Sequence, residues 1–149
     1  MRLGPAVLAL AAVLAASSSH GDWEGSSQHE VPPDGNGSSW LVHATINGSF
    51  TGRFLVDTGA SYCVVAPTVA RRLQLPATAD QAELHTANGT VRAPVVRLKT
   101  VDVGGNRARD VPAVVQNAVG PALDGIIGLS YLDNFSYAID PKRRMLRLR

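Results

Sequence analysis

The sequence predicts an all-β domain that contains one or two short helices. Two runs rich in β-branched and aromatic residues, 40–46 and 50–56, flank Asn47-Gly48, a dipeptide that favours a two-residue hairpin turn. Further short apolar runs follow, and Gly, Pro or Asn residues separate them. The helix signal in the residues themselves is confined to a few positions after Pro67. The class is therefore all-β.

The chain of 149 residues divides into three parts by composition. Residues 1–19 combine Arg2, a long apolar run and a stretch of small residues, which is typical of a secretory signal peptide. Residues 20–39 are rich in Ser, Gly and Pro and predict a flexible linker. Residues 40–149 are then one small domain. We expect an exported protein, periplasmic or secreted, which reaches a membrane only if the N-terminal segment stays uncleaved as an anchor.

Composition excludes several function classes. The formal net charge is +2, and no basic stripe interleaved with aromatic residues is present, so we expect no nucleic-acid partner. The 4 histidines show no metal-ligand spacing, and we expect no metal and no cofactor. The single cysteine, Cys63, is interpreted either as a buried, inert thiol or as a reactive thiol or intermolecular bridge.

The strands that follow the first hairpin are predicted in chain order. Residues 63–65 form a short apolar strand, and Pro67 then begins a short helix. Residues 84–92 predict a hairpin with Asn88-Gly89 at its tip, polar and without apolar residues to hold it against a core. Residues 95–103 and 107–115 predict two further strands around a glycine turn, and two short strands, 137–140 and 145–149, end the chain.

Asp57 is the main candidate for chemistry. It follows the apolar run Phe54-Leu55-Val56 and precedes Thr58-Gly59, so it is predicted to stand where a buried strand becomes a turn. A carboxylate in such a place is partly removed from water and fixed in direction, which suits acid/base chemistry. The alternative interpretation is a simple polar turn, because Asp and Gly both favour turns.

A second motif runs from Asp124 to Leu132 and contains Gly125-Ile126-Ile127-Gly128. In the family that the two motifs resemble, such a segment is a buried strand that leads into a short helix, and Gly128 would permit the close backbone approach that its crossing needs. The two motifs together resemble those of the retropepsin-like (clan AA) aspartic proteases, with more likeness to bacterial and cellular members than to viral ones. The resemblance extends over residues 41–148.

This resemblance implies a closed barrel with a flap hairpin. Asp57 would be catalytic, and Thr58, Gly59 and Ala60 would support it. Ile126, Ile127 and Gly128 would pack against the catalytic loop. The flap tip, which would touch the substrate, would be Ala87, Asn88 and Gly89.

The resemblance also implies association. The chemistry needs two carboxylates that share one proton, and the chain has only one Asp-Thr-Gly. We therefore expect a homodimer that joins two copies of Asp57 and hydrolyses peptide bonds. Many retroviral members pair an Asp and an Arg at the positions of Ser61 and Leu129, so this dimer must be held in another way. The alternative is a non-catalytic peptide-binding module on the same fold.

Overall fold

The computed structural model describes residues 29–31, 40–86, 89–117 and 122–149. The strands are β1 (His29–Val31), β2 (Leu41–Ile46), β3 (Phe50–Val56), β4 (Cys63–Val65), β5 (Gln81–Thr86), β6 (Gly89–Val103), β7 (Asn106–Val115), β8 (Gly125–Ile127), β9 (Tyr137–Asp140) and β10 (Met145–Leu148). Two short helices, α1 (Pro67–Arg72) and α2 (Leu129–Leu132), complete the described part of the chain. The predicted all-β class is confirmed.

Six strands close into a barrel. Their order is β2-β3-β8-β4-β7-β6, and β6 returns to β2 through the pairs from Ala44↔Val103 to Ile46↔Val101. Closure pairs both edges of the sheet, which leaves no open edge in the barrel wall. The predicted closed barrel is confirmed. The hairpin arm β5 extends from β6 beyond the barrel.

The β2–β3 hairpin follows from its turn. Asn47 and Gly48 have φ angles of 52° and 66°, the left-handed conformation that an Asn-Gly hairpin turn requires. Asn47 also joins the turn to β6, because its N–H donates to Thr100 O (2.8 Å) and its Oδ1 accepts from Thr100 N–H (3.2 Å). Along β3 the alternate residues Phe54 and Val56 are buried. The turn and this alternation together set the register that delivers Asp57 to the end of β3.

The long strand β6 differs from the prediction. The sequence indicated a hairpin ending near residue 92 and a separate strand from residue 95, but β6 is continuous from Gly89 to Val103. It changes partner at Pro94, since residues up to Pro94 pair with β5 and those from Val95 onward pair with β7. Proline lacks an N–H and therefore suggests a strand end, but here it falls at the exchange of partners.

Most of the core is one apolar cluster that joins the barrel strands to both helices and to the last strand of the chain. Its largest fully buried side chain is Tyr131 on α2. The Tyr131 hydroxyl donates to Asn106 O at 2.7 Å, and burial is the main cause that raises the pKa of Tyr131. Helix α2 is thus fixed to the start of β7 by a buried hydrogen bond.

A second, three-stranded sheet has the order β1-β10-β9. β1 pairs antiparallel with β10, from His29↔Leu148 to Val31↔Leu146. This strand lies inside the segment 20–39 that the sequence predicted as a flexible linker, so at residues 29–31 the structure differs from that prediction. Three residues are too few to show a strand period, and their partner is more than a hundred residues away in sequence.

The predicted signal segment, residues 1–19, and the rest of the predicted linker lie outside the described residues. Within the described ranges, none of the helices has the length and apolar character needed to cross a membrane.

Candidate active site

Asp57 stands at the point where β3 leaves the barrel wall. Its N–H donates to Ile127 O (3.0 Å), which extends the parallel pairing of β3 with β8 by one residue. Its own carbonyl accepts from Ala60 N–H (3.2 Å) and so closes a tight turn. We name residues 57–62 the Asp57 loop. Both backbone groups of Asp57 are therefore bound before its side chain is considered.

The Asp57 carboxylate is oriented by the loop that follows it. Gly59 N–H donates to Asp57 Oδ1 at 2.8 Å, and a Cβ on Gly59 would lie 3.1 Å from the same oxygen. The Asp57 side chain is half-buried, whereas Thr58 and Gly59 are exposed. Hydrogen bonds from a backbone N–H to a carboxylate are short and directional. The loop therefore presents one fixed, solvent-accessible acid.

The second motif crosses directly behind this loop. β8 lies between β3, with which it runs parallel, and β4, with which it runs antiparallel. A Cβ on Gly128 would lie 2.6 Å from Ala60 O and still closer to Tyr62 O, so only glycine fits there. Leu129 N–H then donates to Ala60 O at 2.8 Å. The structure thus brings Ile126, Ile127 and Gly128 against the Asp57 loop.

The residues after Gly128 fix the far side of the loop. Ser130 N–H donates to Ser61 O at 3.0 Å, and Ser130 Oγ accepts from Cys63 N–H at 2.8 Å. Cys63 is buried, and its burial raises the pKa of its thiol. A thiol in this position is protonated and shielded from solvent. Of the two interpretations of Cys63, its burial favours the inert thiol.

Asp124 supports the strand behind the site through contacts that sequence reasoning missed. Its Oδ2 accepts from Arg53 N–H (2.9 Å), its N–H donates to Arg53 O (2.9 Å), and its carbonyl accepts from Ala66 N–H (2.9 Å). A Cβ on Gly52 would lie 2.5 Å from that Oδ2. Asp124 therefore fixes the beginning of β8, and the bond from Asp57 to Ile127 fixes its end. The available signal was an acidic residue directly before the Gly-Ile-Ile-Gly run.

A cleft of about 570 Å³ opens beside Asp57. One wall is the Asp57 loop, and the opposite wall is β5 at Glu83, Leu84 and His85. Val64, Gln116 and Ile126 line the remaining surface. The cleft therefore lies between a fixed loop and one arm of the β5–β6 hairpin.

That hairpin occupies the position predicted for a flap, and we name residues 81–94 the flap hairpin. Its base packs on the barrel, because the paired residues Ala82 and Ala93 are buried. The sequence predicted a hairpin over residues 84–92 without apolar residues to hold it, but Leu84 within that span packs partly buried against a small apolar cluster, and the buried Ala82 and Ala93 lie just outside it. Of the predicted tip, Gly89 is described and has a φ of +113°, while Ala87 and Asn88 lie outside the described residues.

Charged side chains near the cleft do not provide a second free acid. Glu83 lines the cleft, but its Oε2 lies 3.7 Å from Arg92 Nε across the flap hairpin. His85 Nδ1 is 3.1 Å from Thr90 Oγ1 on the same pair of strands. Within the described ranges, no three His, Cys, Asp or Glu side chains group as metal ligands would. Among the described residues that line the cleft of a single chain, Asp57 is therefore the one carboxylate that is held in a fixed orientation and has no cationic partner.

Comparisons with known proteins agree with this geometry. A family model described as aspartyl protease matches residues 42–131, which include the Asp57 motif and all but the last residue of the second motif. No curated protein sequence matches the chain. Among solved structures, the chain is similar to a retropepsin-like aspartic protease from Rickettsia conorii, with a TM-score of 0.58 and 23% sequence identity over 81% of this chain and 88% of that one. At this identity the structural match establishes a shared fold.

Proposed function

The chain belongs to the aspartyl protease family, and from that membership we propose that it is an endopeptidase that acts as a homodimer, with Asp57 of each subunit forming one catalytic pair. The observation that carries the proposal is the state of Asp57. Its carboxylate is oriented by Gly59 N–H and stands in an open cleft. One chain supplies one such acid, whereas the chemistry of the family needs two.

The exposed part of the Asp57 loop supports association of two copies. Thr58 and Gly59 are exposed beside Asp57, although the rest of the loop is fixed by β8 and α2. A two-fold axis through this surface would bring each Asp57 to the other and would make a closed, isologous interface. Cleavage would then occur in a groove that joins the clefts of the two subunits.

The reaction follows from placing two carboxylates close together. Two like charges a few ångströms apart cannot both ionise, so the pair holds one proton. The ionised member takes a proton from a bound water, and the protonated member donates a hydrogen bond to the carbonyl of the peptide bond. The water oxygen attacks the carbonyl carbon, and the proton passes to the leaving nitrogen.

The substrate we propose is an extended peptide. β5 forms one wall of the cleft, and an extended peptide can hydrogen-bond to such a strand along its backbone. The flap hairpins of the two subunits would cover the peptide. Closure of that kind excludes water from the reacting groups and positions the peptide bond.

The sharpest test of the shared site is subunit mixing. Asp57→Asn protein is titrated into a fixed amount of wild-type protein, and peptide hydrolysis is measured after the subunits exchange. We expect activity to fall as D57N is added, because mixed dimers hold only one Asp57. D133N, which alters an exposed aspartate at the end of α2, serves as the matched control and leaves activity unchanged. Activity that ignores added D57N would overturn the shared pair.

A second candidate function is a non-catalytic peptide-binding module. The observation that favours it is the pair of residues at the loop and at α2, because Ser61 is exposed and Leu129 packs against the main core cluster, so no ion pair joins them. A dimer must then rely on apolar packing and on the terminal sheet. Hydrolysis that is absent at every protein concentration, with peptide binding retained, would favour the module.

We also propose that the protein acts outside the cytoplasm, as a periplasmic or secreted enzyme. The support is the composition of residues 1–19. The mass of the mature protein isolated from its host tests the proposal. Removal of about the first 19 residues is expected, and retention of the full segment in a membrane fraction would indicate an anchor instead.

A further inference from the structure

A small apolar cluster extends to the cleft, and among the described residues its cleft-facing side stays partly exposed. Its buried members are Val64, Ala82, Ala93 and Val114. Its partly buried members are Tyr62, Leu84, Val95 and Ile126. Val64, Tyr62, Leu84 and Ile126 also line the cleft that contains Asp57. The apolar floor of the cleft is therefore the partly exposed edge of a core cluster.

An apolar side chain that covers this partly exposed edge lowers the free energy of the complex, since burial of apolar surface is favourable and non-directional. With the described residues as the cleft walls, a bound molecule is what can add apolar contacts to this edge. A substrate side chain beside the scissile bond would add to the cluster and would be selected by its size.

Tyr62 is the largest side chain at this edge, and its backbone cannot move easily. Its carbonyl lies against Gly128, in the space that a Cβ there would occupy. The residues on both sides are held by Ser130, through Ser61 O and through Cys63 N–H. A half-buried ring on a fixed backbone is a suitable boundary for a pocket.

We propose that Tyr62 is the specificity-determining residue of the cleft and limits the size of the apolar side chain accepted next to Asp57. This rests on the proposed function as a peptidase. The substrate class is an extended peptide with a small or branched aliphatic residue beside the scissile bond. Larger aromatic residues are disfavoured in this proposal because Tyr62 lines the same cleft as Val64 and Ile126 and takes up part of its apolar surface.

Two variants test the size limit. Tyr62→Phe keeps the ring and removes only the hydroxyl, whereas Tyr62→Ala opens the pocket. A peptide series that differs at one position, with Val, Leu, Phe or Trp, is hydrolysed by each protein. One methylene in an apolar pocket changes kcat/KM by about 10- to 200-fold. We therefore expect Y62A to raise the ratio of kcat/KM for Trp over Val by about tenfold or more, and Y62F to keep the wild-type ratio.

Equal ratios in wild type and Y62A would overturn the proposal, and so would a change in Y62F as large as that in Y62A. If Y62A unfolds, Tyr62→Val gives a smaller opening with the same expected direction. Binding of the same peptides to D57N protein separates the two levels of inference. If the wild-type protein hydrolyses nothing but D57N and D57N/Y62A show the size shift in Kd, the peptidase proposal fails and the role of Tyr62 stands. If the wild-type protein hydrolyses peptides but Y62A shows no change in size preference, the peptidase proposal stands and the role of Tyr62 fails.

Discussion

The Asp57 loop and the flap hairpin face each other across the cleft, but they are held in different ways. The loop is fixed from behind by backbone bonds to β8 and α2, including those of Asp57, Leu129 and Ser130. The flap hairpin is held by its own ladder and by the buried alanines at its base, and Val91 near its tip is 39% exposed. A site that performs chemistry needs a fixed acid, whereas a site that admits a polymer needs a wall that opens. We therefore expect the two requirements to fall on separate elements, the acid on the Asp57 loop and the opening on the flap hairpin.

The largest effect is expected at the fixed side of the cleft. Asp57→Asn keeps the size of the side chain but removes the acid/base group, whose contribution is about 10²- to 10⁴-fold in rate. We expect kcat for peptide hydrolysis to fall by about this factor, with KM and the unfolding midpoint close to those of the wild type. Steady-state kinetics and thermal unfolding measure both. Full activity in D57N would remove Asp57 from the mechanism.

Two glycine replacements distinguish crowding behind the loop from conformation in the flap. In Gly128→Ala the new Cβ meets the carbonyls of Ala60 and Tyr62, so the crossing must shift, and we expect about 3 kcal/mol lower unfolding free energy together with lost activity. In Gly89→Ala nothing lies within 4 Å of the new Cβ, and only the φ of +113° is unfavourable. We expect about 1 kcal/mol there.

Denaturant unfolding of both glycine variants gives the required free energies. Equal losses in G128A and G89A would contradict the difference between the two sides of the cleft. Retained peptide hydrolysis in G128A would show that the crossing tolerates displacement without disturbing Asp57.

The buried thiol behind the loop predicts a dependence of stability on alkaline pH. Burial raises the pKa of Cys63 in the folded state, so the folded protein resists ionisation that the unfolded chain accepts above about pH 8.5. This contribution is fully present below the unfolded pKa and is lost as pH rises toward the folded pKa, at no more than about 1.4 kcal/mol per pH unit. Unfolding free energies at neutral and alkaline pH, compared between wild type and Cys63→Ala, measure it. The same slope in both proteins would remove Cys63 as the cause.

The smallest effect is expected on the outer surface of the flap hairpin. Arg92 and Glu83 approach to 3.7 Å, but their side chains are 78% and 52% exposed, and solvent screens such pairs. We expect Arg92→Ala to change the unfolding free energy by less than about 1 kcal/mol. A larger loss, measured by denaturant unfolding at low and high salt, would show that this pair holds the flap hairpin closed over the cleft.

Prediction from the sequence succeeded where local signals and packing agree. Asn47-Gly48 and the alternation of β3 place Asp57 at a strand end, and the Gly-Ile-Ile-Gly run places β8 beside it. The long-range pairings were not visible. β1 has only three residues and depends on β10 at the other end of the chain, while the contacts of Asp124 depend on the register between β3 and β8.

Among the candidate site residues, those of the Asp57 loop and those of β8 lie against each other beside the cleft. Their catalytic roles stay predictions, to be tested by D57N and by subunit mixing. Tyr62 was not singled out because the sequence shows only an aromatic residue before a cysteine. Its proposed role depends on β5, β4 and β8, which bring Leu84, Val64 and Ile126 into the same apolar cluster.

The exchange of partners at Pro94 has a consequence for how this architecture can vary. The continuous strand β6 belongs to the flap hairpin before Pro94 and to the barrel wall after it. Matched insertions of two residues in each arm before Pro94 would lengthen the reach over the groove and preserve which side chains point inward, because strand faces alternate with a period of two. The register between the barrel strands would stay unchanged. The length of the flap hairpin can therefore change during evolution without repacking of the barrel.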